Sequence, residues 1–313
     1  MKVKDLNVGD NVNIILAVKE AQLKSTKGGK PYLAMTLFDG DEIISANHWD
    51  YYSQYIPKPN DIVDIIANVS TWKEKKQLTI QSFKVRRDLD IKQFAPQGNI
   101  NVEQYIKTLN GLINSINNPV LKELTEQIIV DNLPNLKVKP AAKTFHHAYV
   151  AGLLKHSVDV ASHAANIASY TDNCSEDLCI AGGLLHDIGK LWTYNIDGVD
   201  ITMSLNGELI EHISKGLIEI EKYRNKENTG LIDLLQHIIA SHHGKLEYGS
   251  PVTPKFLEAW IVHFCDNLDA KINIVQEINQ NLKKGELYTD KQWALENQKM
   301  ISQEYIKSIV GGA

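Results

Sequence analysis

Cysteine is scarce in this chain. Its 313 residues include three, Cys174, Cys179 and Cys265. They form no CxxC pair and no zinc-finger spacing, which argues against a disulfide framework or a thiolate zinc site. Reduced, buried thiols are the expectation. Long apolar runs are missing too: no stretch has the length needed to span a membrane. The opening MKVKDLNVGD lacks the apolar core of a secretory signal. These absences point to a cytoplasmic protein without a membrane partner. There is also no surplus of positive charge. The formal net charge is -5, which by itself points away from a polyanionic partner.

The charge is unevenly spread, however. Residues 1–90 carry 13 Lys/Arg and 12 Asp/Glu, whereas residues 91–313 carry 20 and 26. A chain of this length divides readily into two domains. The expected division is a first domain over 1–88, a linker over 89–100 and a second domain over 101–313. The linker reading rests on DLDIKQFAPQGNI, which loses hydrophobic alternation and contains Pro96 and Gly98.

Before residue 90 the pattern is that of strands. VNIILAV, PYLAMTLFD, EIISANHW, DIVDIIANVSTW and QLTIQSFKV are rich in β-branched and aromatic residues, with turn signals between them. Leu33, Met35 and Leu37 alternate with Tyr32, Ala34, Thr36 and Phe38, giving one core face and one partly aromatic face. A short helical piece is expected from Trp49 to Ile56, between the third and fourth strands. That order suits an OB-fold, a small β-barrel that often binds single-stranded nucleic acid. The two loops that flank such a barrel's binding face carry Lys27, Lys30, Lys73 and Lys75, suited to phosphates. Tyr32, Trp49 and Trp72 are candidates to stack on bases. The plainer reading of each is a solvated lysine hairpin or a core tryptophan.

From Val102 onward apolar residues recur at helical spacing, and the region reads as an all-α bundle punctuated by Pro134 and Pro140. One helix, Ile180-Ala-Gly-Gly-Leu-Leu185, has nothing to hydrate it, yet it runs into His186-Asp187. Burying two such side chains is costly unless something pairs with them. Others follow the same pattern: His156, His212, His242-His243 and Asp266 each sit on or at the end of a separate expected helix. A bundle can aim such residues at one centre. Stability does not call for this gathering, since neutral packing would serve better. Divalent ions do, and imidazole with carboxylate but no thiolate suits Mn, Fe, Co or Ni. Asp187 is expected to bridge two ions while His186 serves one, with Gly189 ending the helix. Lys190 is a candidate to bind a phosphate oxygen. Lys143, His146 and His147 are candidates for the pocket rim, and His263 for orienting Asp266. His163 is expected to be outer or surface, His237 a core residue and His48 without a role.

The order H…HD…H…HH…D, with LLHDIGK, is the signature of HD-domain phosphohydrolases. KSTKGGKPYL, ANHWD, PAAKTFHHAYVAGL, HIIASHHGKLEYGSP and IVHFCDNLDAKIN extend the likeness over nearly the whole chain. Together they resemble the YhaM family of bacterial 3′→5′ exoribonucleases. The resemblance implies metal ligands at His156, His186, Asp187, His212, His242, His243 and Asp266. It further implies a manganese-favouring enzyme that shortens single-stranded RNA from the 3′ end, with single-stranded DNA a further candidate. The sequence departs from the pattern at Phe145, where a polar residue is expected, and at Glu211, where glycine is usual. Two other readings compete. One is an HD-domain nucleotide or cyclic-dinucleotide phosphohydrolase, which would not need the barrel. The other is a nonenzymatic single-strand-binding protein, which would be favoured had ligands been replaced. A homo-oligomer is left open.

Overall fold

The computed structural model describes every residue except Glu74, Phe145, His146, Asn281, Lys283, Lys284, Gly312 and Ala313. The chain divides into two compact units. One is Met1–Asn99 with Asn195–Thr202, the other Ile100–Tyr194 with Met203–Ala313.

The first unit is a closed barrel of β1 (Asn11–Ser25), β2 (Pro31–Phe38), β3 (Ile43–Trp49), β4 (Ile62–Trp72) and β5 (Lys75–Arg86). The strand order is β1-β2-β3-β5-β4, closing between β4 and β1, as in an OB-fold. Antiparallel hairpins supply most of the ladder, and a short parallel pairing of Ser45–Asn47 with Gln77–Thr79 seals it. The alternation seen in the sequence is the alternation of the barrel wall. Leu33, Met35 and Leu37 point inward with Leu16, Ile65 and Leu78, all buried.

The helix expected at Trp49–Ile56 is absent. Trp49 is the last residue of β3, held opposite Tyr32, and residues 51–58 have no regular structure. Pro57 and Pro59 follow, and a proline steers the residue before it away from helical angles. Residues 91–97 are not a loose tether either. Ile91–Phe94 forms a 3₁₀ turn, Phe94 is buried against Ala17, Phe38 and Ile62, and the Gln97 amide donates to Gly40 O at 2.7 Å.

The second unit is a bundle of α1 (Val102–Ser115), α2 (Pro119–Leu136), α3 (Gly152–Ala168), α4 (Glu176–Leu185), the single turn α5 (Lys190–Thr193), α6 (Leu205–Glu221), α7 (Thr229–Ser241) and α8 (Leu257–Gln280), followed by α9 (Gln303–Val310). Side-chain oxygens of Asn101, Asn118, Ser175 and Ser204 cap four of these helices. Pro134 does not end α2 but lies in its last turn. The stretch after α5 is not helical, and its residues Asn195–Thr202 belong to the first unit. β6 (Tyr194–Asp197) and β7 (Asp200–Met203) form a hairpin whose turn holds Gly198 at φ 60°. YNIDGVDITM carries that signal, alternation around Asp-Gly.

The helix α4 is buried all round. A Cβ on Gly183 would lie 2.6 Å from Ala161 Cα of α3, and one on Gly182 would lie 2.7 Å from the Ile238 side chain of α7. The paired glycines therefore let α4 sit hard against both neighbours, and its last residues emerge at the bundle's centre. No helix among the described residues is long and apolar enough to cross a membrane.

Candidate functional site

After Leu185 the chain makes a turn through His186-Asp187-Ile188-Gly189, with the Ile188 amide donating to Leu185 O and the Lys190 amide to Asp187 O. Gly189 is expected to end the helix, and a left-handed conformation would be the usual way for a glycine to do so. It has φ -61° instead. Its lack of a side chain matters for another reason: a Cβ there would lie 1.9 Å from His212 O. Glycine thus brings α6, and His212 with it, against Asp187.

Four further elements deliver side chains to the same place. His156 comes from the middle of α3, His212 from α6, His242 and His243 from the end of α7, and Asp266 from α8. His156 Nε2 lies 3.1 Å from His186 Nε2, 3.3 Å from Asp187 Oδ2 and 3.2 Å from Asp266 Oδ1. The other oxygen of Asp187, Oδ1, faces His242 Nε2 at 3.4 Å and His212 Nε2 at 3.5 Å. The His243 ring stands 4.3 Å from that of His242 and 5.2 Å from that of His212. So Asp187 lies between two groups, His156-His186-Asp187 and His212-His242-His243, each compact enough to hold a metal ion.

The electrostatics fit that use. Burial opposes charge on His156, but the hydrogen bonds it donates to Asp187, Asp266 and Asp269 outweigh it and hold its pKa well above the usual value. Burial lowers His186 to about 4, leaving a neutral imidazole whose Nδ1–H donates to Gly183 O at 2.8 Å. Burial likewise holds His212 well below its usual value. Burial disfavours the Asp187 carboxylate, yet Lys190 foremost, with the hydrogen bond from His156, keeps it ionised well below the usual range. Lys190 lies 2.6 Å from Asp187 Oδ2 and is 7% exposed. In this form, the carboxylates draw their counter-charge from the proton on His156 and the ammonium of Lys190.

One observation tests the fit of an ion directly. Asp187 Oδ1, His212 Nε2 and His242 Nε2 are buried and have no hydrogen-bond partner. His242 Nδ1 donates to Ile239 O at 2.7 Å, so its Nε2 is a lone pair facing a carboxylate oxygen. Acceptors confronting one another in a buried site are costly unless a cation lies among them. The donor set, imidazole and carboxylate without thiol, suits Mn, Fe, Co or Ni.

The surrounding candidates are placed differently from one another. His147 is not at a rim. It is 2% exposed and its Nε2 donates to Asp269 Oδ2 at 2.9 Å. Lys143 is exposed, and His146 and Phe145 lie outside the described residues. His263 does not orient Asp266: its Nδ1 bonds His242 O at 2.6 Å, steadying the backbone of a different candidate ligand. His237 is half-buried and accepts from the Lys255 amide. His163 is half-buried with its Nδ1 unpaired.

Asp269 is the residue that the sequence reading passed over. It accepts from His156 Nδ1 at 2.7 Å as well as from His147. Its signal was its spacing, one turn beyond Asp266 on the same helix. Glu211 breaks α6 with φ 59° and ψ 169°, a region that only glycine enters freely.

On the barrel, Tyr32 and Trp49 pair across strands with ring centroids 4.8 Å apart. Trp72 is 67% exposed, and a groove joins it to Tyr32, Lys24, Thr36, Asn47 and Gln77. Lys27, Lys73 and Lys75 are exposed, and Lys30 pairs with Asp50 at 3.4 Å. His48 lines a second depression with Tyr51, Tyr55, Phe83 and Arg87.

Residues 153–271 match the family model of the HD domain, which spans the helices that carry these histidines and aspartates. The chain therefore joins a five-stranded barrel to a helical bundle with an HD-domain region. Solved structures similar to it include the second OB-fold domain of replication protein A from Methanococcus maripaludis, at 17% identity over 29% of this chain and 97% of that one, with a TM-score of 0.25. A crystal structure of a replication protein A domain from the same organism is 16% identical over 27% and 92%, with a TM-score of 0.25. A replication protein A heterotrimer bound to ssDNA is 12% identical over 29% and 67%, with a TM-score of 0.23. Likenesses of that size carry no argument about ligand or activity.

Proposed function

We propose that the protein is a metal-dependent 3′→5′ exoribonuclease acting on single-stranded RNA, with single-stranded DNA as a second substrate. The barrel captures the strand and the HD site hydrolyses its terminal phosphodiester. The observation that carries the hydrolytic part is Asp187, whose two oxygens face two separate histidine groups with unpaired acceptors between them. His156, His186, Asp187 and Asp266 would hold one ion, and His212, His242, His243 and Asp187 would hold the second. Divalent ions held there, manganese foremost, supply Lewis acidity that activates water and offsets charge developing on the phosphate.

The chain's own groups do the rest. Asp187 holds both halves of the site in register. His186 and His242 present Nε2 because a backbone carbonyl occupies each Nδ1–H. Lys190 keeps Asp187 ionised and, once that carboxylate is otherwise neutralised, turns its ammonium to a phosphate oxygen. The deepest ligands are sealed from water, so substrate reaches the site from the side of His212, His243 and Asp266. A recessed approach of that kind admits a chain end more readily than a mid-strand phosphate. Lys143 and His146 are assigned to the approach, and His147, buried against Asp269, is not. Trp49, Tyr32 and Trp72 stack on bases while Lys27, Lys30, Lys73 and Lys75 follow phosphates. That face favours a strand over a lone nucleotide.

The direction rests on the resemblance to the YhaM family. The test uses 3′- and 5′-labelled single strands with manganese and with EDTA. Stepwise shortening from the 3′ end, abolished by EDTA, is expected. Cutting of a circular strand would contradict the exonuclease reading, and full activity in EDTA would contradict the metal reading.

A further inference from the structure

The histidines around Asp187 are not held alike. His186, His242 and His243 each bond through Nδ1 to a backbone carbonyl, those of Gly183, Ile239 and Tyr248. His156 bonds instead to a carboxylate, Asp269 Oδ2, at 2.7 Å. The same oxygen takes a second hydrogen bond from His147 Nε2, and the Tyr149 hydroxyl lies 2.8 Å from His147 Nδ1. A carboxylate can only accept, so both histidines donate to it and Tyr149 donates to the far side of His147. The result is a continuous buried relay, Tyr149 to His147 to Asp269 to His156. It fixes the tautomer that turns His156 Nε2 toward His186, Asp187 and Asp266. Burying a carboxylate and two histidines for packing alone is a poor bargain in stability.

We propose that Asp269 is a positioning residue that makes the ion at His156 the tighter of the two, so that the site fills in a fixed order. This rests on the two-ion reading above. A carboxylate behind a ligating imidazole orients the ring and raises its basicity. The ion at His156 also has Asp266 beside its share of Asp187. The ion at His212, His242 and His243 has only the shared Asp187 as a carboxylate: His242 and His243 are backed by backbone carbonyls, and the Glu211 carboxylate stands 3.9 Å from His212 Nδ1, beyond hydrogen-bond distance. His212 and His243 are also less deeply buried than His156 and His186. The first ion therefore stays resident and the second exchanges with solution, and hydrolysis follows the free concentration of the second.

The test is a manganese titration of the metal-stripped full chain by calorimetry, with bound ion counted by spin resonance. Wild type is expected to bind two ions in two steps separated ten-fold or more in affinity. Asp269→Asn keeps shape and one acceptor oxygen, and should weaken the tight step about ten-fold while leaving the loose step in place. His147→Gln should weaken the same step by less. A merely structural role would weaken both steps together or neither, and either result in Asp269→Asn overturns the inference. A wild-type protein that binds fewer than two ions overturns the metal reading itself.

Discussion

The two units bury opposite things. The barrel's interior is apolar throughout, with Leu16, Leu33, Leu37, Ile65 and Leu78 inaccessible to solvent, and its candidate contact residues lie on the outside. The bundle buries His156, His186, Asp187, Lys190, His242 and Asp269 almost completely. In the first unit the binding face is laid over a finished core and can change without touching it. In the second, the groups that would do chemistry are part of the interior, so stability and activity share residues.

Asp187 gives the largest expected contrast. Asp187→Asn keeps the shape and removes the bridging charge, and hydrolysis should fall about a thousand-fold or more, which is about 4 kcal/mol of transition-state stabilisation. Asp187→Ala should do this and also unsettle the fold. Both changes take the counter-charge from the buried Lys190 ammonium, and alanine also removes the oxygen that could still accept from it, for a total cost of about 3–5 kcal/mol. Activity assays and urea denaturation of both variants separate the two effects. Equal stability of the two would break the claim that function and fold are shared here.

The barrel should behave in the other way. Trp49→Ala and Trp72→Ala should each weaken binding of a single strand by about 1–3 kcal/mol. Unfolding free energy should move within about 0.5 kcal/mol, as for other exposed sites. Fluorescence anisotropy and denaturation curves read the two quantities. Loss of stability in step with loss of binding would show that the face is part of the core after all.

Much of this contrast was legible in the sequence. Period-two alternation marks β2 because one face of it meets a closed core. The ordered histidines and aspartates stand out because nothing else in a helical bundle asks for them. What was hidden depends on partners far along the chain. Asp269 is one more acid on a long helix until His147 and His156 arrive from 122 and 113 residues away. Gly189 reads as a helix stop, whereas its reason is the carbonyl of His212. The helix expected after β3 failed because pairing with Tyr32 claims Trp49, and YNIDGVDITM was absorbed into a helical region despite its alternation.

Just past the end of β2, outside that apolar core, Asp39 is a buried charge among the described residues, and it tests the comparison in acid. The Asp39 carboxylate accepts from the amides of Val3, Asp41 and Glu42 at 2.6, 2.8 and 2.7 Å. Burial raises its pKa, but these bonds and Lys2 outweigh burial and hold it below the ordinary 3.8. A depressed folded pKa means the stabilisation is present above 3.8 and is lost as pH falls through the folded value. The barrel should therefore lose stability in that acid window, and Asp39→Ala should flatten the profile there. An unchanged profile in the variant would remove Asp39 as the cause.

The smallest effect is expected at Glu211. Its positive φ is strained, and Glu211→Gly should raise stability by about 1 kcal/mol, read as a shift in the denaturation midpoint. A loss would mean that the side chain holds the kink beside His212.

The central claim is that one carboxylate joins two ions. Electron spin resonance of the full chain loaded with two equivalents of manganese tests it most directly. The account predicts a spin-coupled pair in the wild type and its disappearance in Asp187→Asn. Two uncoupled manganese signals in the wild type, or a coupled pair that survives Asp187→Asn, would contradict it.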